Sequence, residues 1–436
     1  MTTYARRLGL FSGTMAVVGG IVGGGIFRTP AAVAERVGSS GLILAVWVAG
    51  GAVALAGALC FGELGQRRPR AGGGYVYLRE TWGPLPAFLY GWALLLVIAS
   101  GAIAAIAVTF ADYTLALTGL PRPLALPLAV GAIVLVSGVN YFGVRPGAVV
   151  QNVLTVLKLL ALAVLVGVGL LAGLPPSDPS PPAAPTAIGA ALVPVLFTYG
   201  GWQQTNFIAE EMVNPERDLP RALLLGVAVV VATYLLANLA YLQVLGAHGL
   251  AGSTAPAADA MTRVLGAAGG TLISAGIAIS TFGFLNLVVL VTPRVFQAMA
   301  ADGVFFPRLA RLHPVHRTPA SAIVVQAVWA SALALSGSFS QLVDYVAFAD
   351  WVFFGLTVAG LFVYRARDRA DGRVAPAGAF RVPGYPWTPA AFVAAAIFVV
   401  ASSVVAAPRN ALVGTGLLAV GIPVFWYWNR AGRGSV

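Results

Sequence analysis

Two glycine-rich stretches and a single lysine are the residues of this sequence whose types and spacing suit chemistry. The first stretch reads Gly19-Gly20-Ile21-Val22-Gly23-Gly24-Gly25-Ile26-Phe27, followed by Arg28-Thr29-Pro30. The second comes after Pro194 and reads Phe197-Thr198-Tyr199-Gly200-Gly201-Trp202-Gln203-Gln204. Glycine disfavours a helix by about 1 kcal/mol per residue relative to alanine, so such runs interrupt the main-chain ladder and free its polar groups. Freed N–H groups at the positive end of a half-helix suit a carboxylate, and freed carbonyls at a negative end suit an ammonium. Offered together to one small molecule, they suit a zwitterionic amino acid, with no charged side chain required. The rest of the chain holds little competing chemistry. The one cysteine, Cys60, excludes an intrachain disulfide and a cysteine metal site, and His248, His313 and His316 all fall in connecting segments. No G-x-G-x-x-G follows a strand, and P-loop, H-E-x-x-H and G-x-S-x-G patterns are absent. The sequence therefore predicts no enzyme, no cofactor and no metal.

The elements that position these residues follow from composition. Of 436 residues, 59% are hydrophobic and 9% charged, against roughly 25% charged in an average soluble domain. Apolar runs of about 20 residues cross a bilayer as helices. Twelve are predicted, over 9–37, 41–66, 85–118, 123–142, 146–172, 187–211, 220–246, 268–299, 319–337, 341–365, 388–407 and 411–429. The long third and eighth runs must tilt or extend beyond the bilayer. Short interfacial helices are predicted over 72–83 and 256–266, and a Pro-rich external loop over 174–186. With the N-terminus inside, twenty of the twenty-five arginines fall on the cytoplasmic side. That bias predicts a multi-pass protein of the inner or plasma membrane with both termini cytoplasmic. It also accounts for the net charge of +11 without nucleic acid.

The glycines of the first run admit two readings, close helix packing through small-xxx-small spacing or an unwound stretch that meets a ligand. The sixth run decides between them, because paired interruptions in corresponding spans of two halves are the sequence mark of a transporter site. The seam between the halves falls at the Pro-rich loop. Lys158 is thirteenth in the fifth run, near the midplane, where a charge costs about 2.5–3.5 kcal/mol and where its side chain is poorly placed to reach the interface. Its ammonium is expected to bond the freed carbonyls of the first helix, taking the place a bound cation would fill. Glu63, Glu210 and Glu211 are expected to pair with loop arginines, and Asp112, Asp344 and Asp350 to lie at solvated helix ends. Arg28 is expected to snorkel outward. Ser280, Thr281 and Asn286 either line the cavity or bond between helices.

With these residues in view, the chain resembles the amino acid–polyamine–organocation superfamily, and within it the L-amino acid transporter branch. The resemblance rests on Gly23-Gly24-Gly25-Ile26-Phe27, on Tyr199-Gly200-Gly201-Trp202, on Asn206-Phe207-Ile208-Ala209-Glu210-Glu211 and on the stretch from Phe354 to Phe362. It implies an all-α, LeuT-like fold in which 9–172 and 187–365 form two inverted five-helix repeats and 388–429 forms peripheral helices. By the same resemblance, the amides of Gly24 and Gly25 hold the substrate carboxylate. The carbonyls of Ile21, Phe197, Thr198 and Gly200 hold its ammonium. Phe197 is similar to an aromatic gate, Trp202 and Gln203 shape the side-chain pocket, and Tyr234 supports Lys158 where relatives bind sodium. Gly24 stands where serine is usual, and no cysteine follows the third span, so no disulfide-linked accessory subunit is expected. The function implied is sodium-independent exchange of neutral L-amino acids by alternating access. Proton-coupled uptake through Lys158 or a carboxylate, and a non-transporting amino acid sensor, are the alternatives.

Overall fold

The computed structural model describes residues 3–173, 185–337, 339–373, 376 and 378–433. Among them every regular element is helical, and the sole bridge between extended residues joins Leu8 to Met212. The chain opens with α1 (Leu10–Ile21), α2 (Thr29–Val37), α3 (Ser40–Arg67), α4 (Gly74–Trp82), α5 (Pro84–Ala93) and α6 (Ala99–Thr118). It continues with α7 (Ala125–Tyr141), α8 (Val144–Leu171), α9 (Pro185–Thr198), α10 (Pro215–Ala251), α11 (Pro256–Leu265) and α12 (Ala267–Val291). The last elements are α13 (Pro293–Ala301), α14 (Ala320–Ser336), α15 (Phe339–Ala370), α16 (Trp387–Ala406) and α17 (Pro408–Arg433).

Nine helices among the described residues are long and apolar enough to cross a membrane. They fall on nine of the twelve predicted runs. The other three differ for physical reasons. The first run splits into α1 and α2 around the glycines, the sixth splits after α9, and the ninth forms the 17-residue α14. The interfacial helices appear as α4 and α11, whereas 174–184 of the Pro-rich loop lie outside the described residues. The third run forms one long helical span, Pro84–Thr118, with a π-helical turn at Leu94–Ile98, where Ser100 Oγ donates to the Leu95 carbonyl at 2.6 Å. The eighth ends α12 before Pro293, whose missing N–H cannot continue the ladder, and restarts as α13.

The two interrupted helices sit at the centre. α1 packs against α8, α10 and α12, and α3 lies along α10. Trp47 of α3 meets Tyr199 and Tyr234 edge-on, both at 5.6 Å between ring centroids, so an aromatic wedge braces the second interruption. Where the two interrupted helices cross, their main chains touch. A Cβ on Gly201 would lie 2.0 Å from the Gly20 carbonyl oxygen, and Gly201 has φ +110°, so only glycine serves there.

Candidate functional site

The interruption in the first helix leaves its two kinds of polar group in different states. Its carbonyls are answered by side chains from neighbouring helices. Lys158 Nζ donates to Gly19 O at 3.3 Å and to Val22 O at 2.7 Å. Ser280 Oγ donates to Gly23 O at 3.1 Å, Tyr234 Oη to Ile21 O at 3.0 Å and Tyr241 Oη to Ile26 O at 3.3 Å. The amides of Gly24 and Gly25, by contrast, donate to no acceptor among the described residues. Both residues are half-buried on the wall of a cavity, and two unpaired main-chain donors there suit an anion.

The second interruption is its complement. Gly200 N donates to Phe197 O at 3.0 Å, and Gly201 N to the side chain of Gln203 at 3.0 Å. The carbonyls of Thr198 and Gly200 receive no main-chain N–H among the described residues. Thr198 Oγ1 bonds Pro194 O at 2.8 Å and Thr29 Oγ1 at 2.8 Å, which ties α9 to α2 just beyond the gap. Free N–H groups from one helix thus face free carbonyls from the other.

Between them lies a cavity of about 510 Å³, lined by Gly23, Gly24 and Gly25 from the first interruption and by Phe197, Thr198, Gly200 and Gly201 from the second. That volume is at the scale of a small-molecule site. Of the residues singled out from sequence, Ile21, Gly24, Gly25, Phe197, Thr198, Gly200 and Gln203 line this space. The Ile21 and Phe197 carbonyls already accept bonds within the protein, which leaves Thr198 and Gly200 as the open acceptors. At Gly24 a Cβ would meet nothing within 4 Å, so the amide there is approachable.

Trp202 is placed differently from the expectation. The tight turn at Gly201 carries its indole behind the wall, against Phe61, Phe354 and Phe392, with centroids 5.0, 6.4 and 6.0 Å away. It therefore buttresses the pocket without lining it. Lys158 and Tyr234 are fully buried and also stand behind the first interruption. Ser280 does likewise, whereas Thr281 bonds its own helix and Asn286 bonds Gln151 of α8. Arg28 is exposed, as expected.

The carboxylates correct the sequence reading in two places. The arginines that meet these glutamates are helical and not in loops: Glu63 pairs with Arg67 of α3 and Arg365 of α15, and Glu211 with the fully buried Arg294 of α13, while Glu210 accepts from the Ala71 amide. Asp350 is not at a solvated helix end. It lies inside α15, on the turn that also carries Trp351 and Phe354, and all three line the cavity. Asp112 is exposed, and the Asp344 side chain falls outside the described residues.

Two unwound membrane helices that offer opposite main-chain charges to one cavity define a carrier of small polar molecules. Comparison with known proteins narrows that class. Residues 8–427 match the amino acid permease family, and the chain belongs to it. It is similar to the human b(0,+)-type amino acid transporter 1, with 37% identity over 375 residues, covering 84% of this chain and 77% of the relative. It is also similar to the serine/threonine exchanger SteT of Bacillus subtilis, with 32% identity over 427 residues, covering 97% and 96%. The human large neutral amino acids transporter small subunit 2 is 34% identical over 374 residues, covering 83% and 70%. The chain is thus a membrane transporter of amino acids and not an enzyme.

Proposed function

We propose that this protein exchanges neutral L-amino acids across the cytoplasmic or inner membrane without sodium, by alternating access around the cavity. The observation that carries the reading is the pairing of the unbonded Gly24 and Gly25 amides with the unbonded Thr198 and Gly200 carbonyls across one cavity. The amides hold the α-carboxylate and the carbonyls hold the α-ammonium, so the zwitterion supplies the bonds that the interrupted helices lack. Phe197, 37% exposed and edge-on to Trp351 at 6.3 Å, is the aromatic gate over the bound molecule. Lys158 supports sodium independence, because its ammonium occupies the carbonyl cage behind the first interruption that a bound cation would otherwise fill. We further infer twelve spans in two inverted repeats, 9–172 and 187–365, with 388–429 peripheral and both termini cytoplasmic.

The test is uptake of radiolabelled alanine, serine or leucine into proteoliposomes. Uptake is expected only when the vesicles contain unlabelled amino acid, and at the same rate when choline replaces sodium. Accumulation driven by an imposed pH gradient with no internal amino acid would instead establish proton coupling. Tight binding with no flux would make the protein a sensor.

A further inference from the structure

Away from the substrate cavity, a groove of about 530 Å³ opens where α7 ends and α14 begins. Thr318 Oγ1 donates to the Tyr141 carbonyl at 2.8 Å, which pins the connector between α13 and α14 against the end of α7. Tyr141, Phe306 and Arg308 line the groove together with Ser321, Val324 and Val325 of α14. Ser321, Val324, Val325 and Val328 follow i, i+3, i+4, i+7 spacing and are all exposed, so a mostly apolar stripe runs from the groove along the helix. Phe306 is exposed too, and meets Trp428 of α17 edge-on at 4.9 Å. Such aromatic side chains gather at the headgroup level of a bilayer. The charge at this corner has no answer within the protein. Arg308, Arg311 and Arg317 in the connector and Arg145 at the start of α8 are exposed, and none has an ion-pair partner among the described residues. By contrast, Arg67, Arg68, Arg79 and Arg365 each hold a carboxylate. The cause is compositional, since no Asp or Glu occurs in residues 113–177 or 303–343. Asp302, at the start of the connector, is already held by Arg79 at 2.6 Å and by Tyr75 Oη at 2.9 Å.

We propose that this groove seats an anionic phospholipid of the adjoining leaflet, with its phosphate at Arg308 and an acyl chain along Val324, Val325 and Val328. A planar guanidinium matches phosphate oxygens two at a time, and basic recesses between membrane helices suit such headgroups. The other three arginines add attraction from within the same corner. A free phosphate would answer the charge but leave the apolar stripe bare. A zwitterionic lipid would cover the stripe but bring a further cation to a corner that already has a surplus. An anionic lipid answers both. Under the orientation inferred above, the leaflet is the cytoplasmic one, and the seat stands apart from whatever the central cavity carries.

The experiment titrates dioleoylphosphatidylglycerol into the full-length protein in a neutral detergent and counts bound lipid by native mass spectrometry. Dioleoylphosphatidylcholine and inorganic phosphate are titrated in parallel. Phosphatidylglycerol is expected to bind about ten-fold more tightly than phosphatidylcholine. Arg308→Gln should weaken its binding about five-fold, one arginine's share of the attraction, while Arg308→Lys should keep most of the affinity. Ser321→Trp fills the groove from an exposed position without altering charge, and should weaken binding by at least as much. Arg263→Gln, which removes an exposed arginine from α11, should leave the affinity unchanged. Equal binding of the two lipids overturns the inference, as does an affinity unchanged in Arg308→Gln or in Ser321→Trp. A loss in Arg263→Gln as large as that in Arg308→Gln overturns it as well, because the attraction would then belong to the whole surface. Inorganic phosphate that displaces the lipid at equal concentration makes the occupant a free anion and refutes the lipid assignment.

Discussion

Replacing Lys158 with methionine separates what the lysine does for transport from what it does for folding. The side chains have similar length, and the change removes the ammonium that bonds Gly19 O at 3.3 Å and Val22 O at 2.7 Å. Val22 O keeps a second donor, Ser280 Oγ at 3.3 Å, but Gly19 O has no other among the described residues. The net loss is therefore close to one charged hydrogen bond and one orphaned carbonyl, roughly 2–3 kcal/mol. If that support is needed to hold the first interruption in its substrate-binding shape, kcat/KM for alanine exchange falls about 30- to 140-fold. Stability is nearly balanced. The change also removes the cost of placing a charge at the membrane centre, about 2.5–3.5 kcal/mol, which offsets the lost bonds, so the methionine variant should melt no lower than the wild type. The assay is initial-rate exchange in proteoliposomes at matched protein density, with a melting curve on the same detergent-purified sample. Wild-type exchange in Lys158→Met would refute the reasoning. So would a fall in the melting midpoint large enough to explain the lost activity.

Three further outcomes follow from the packing. Gly283→Ala would place a methyl 3.1 Å from Lys158 Cε and Leu154 Cβ. It should lower exchange about five-fold through overpacking of ~1 kcal/mol, which initial rates will report. Gly201→Ala meets both the Gly20 carbonyl at 2.0 Å and a left-handed φ, so it should abolish exchange and reduce the recovered folded protein on size-exclusion chromatography. Arg294→Met leaves Glu211 buried and unpaired, at a cost of about 3–5 kcal/mol. Its melting midpoint should drop by several degrees, and adding Glu211→Leu should restore most of the loss.

The two interruptions were legible because they are written in residue chemistry, as glycines and a proline inside apolar runs. Lys158 was legible because a lone lysine at mid-span has few possible partners, and freed carbonyls are the obvious ones. Helical phase was not. Whether a residue of α15 faces the cavity or a helix end depends on how α15 packs and where it begins, so Asp350 was placed with the solvated carboxylates. The place of the Trp202 indole is hidden in the sequence for a related reason. A left-handed glycine just before it reverses the chain and swings the indole away from the cavity, a rotation that adjacency to Gly200 and Gly201 does not reveal. The Glu211–Arg294 pair joins elements 83 residues apart, and no local pattern links them.

The short extended segment before α1 has a mechanical consequence. Arg7 N and Leu8 N both donate to Glu211 O, and Val213 N donates to Leu8 O. The same two rods also meet at Gly20 and Gly201, and at Thr29 and Thr198. Sewn together at three heights, they have little freedom to slide or hinge against each other. The seat for the cargo should therefore travel as one rigid piece, leaving the surrounding helices to swing past it when the passage changes sides.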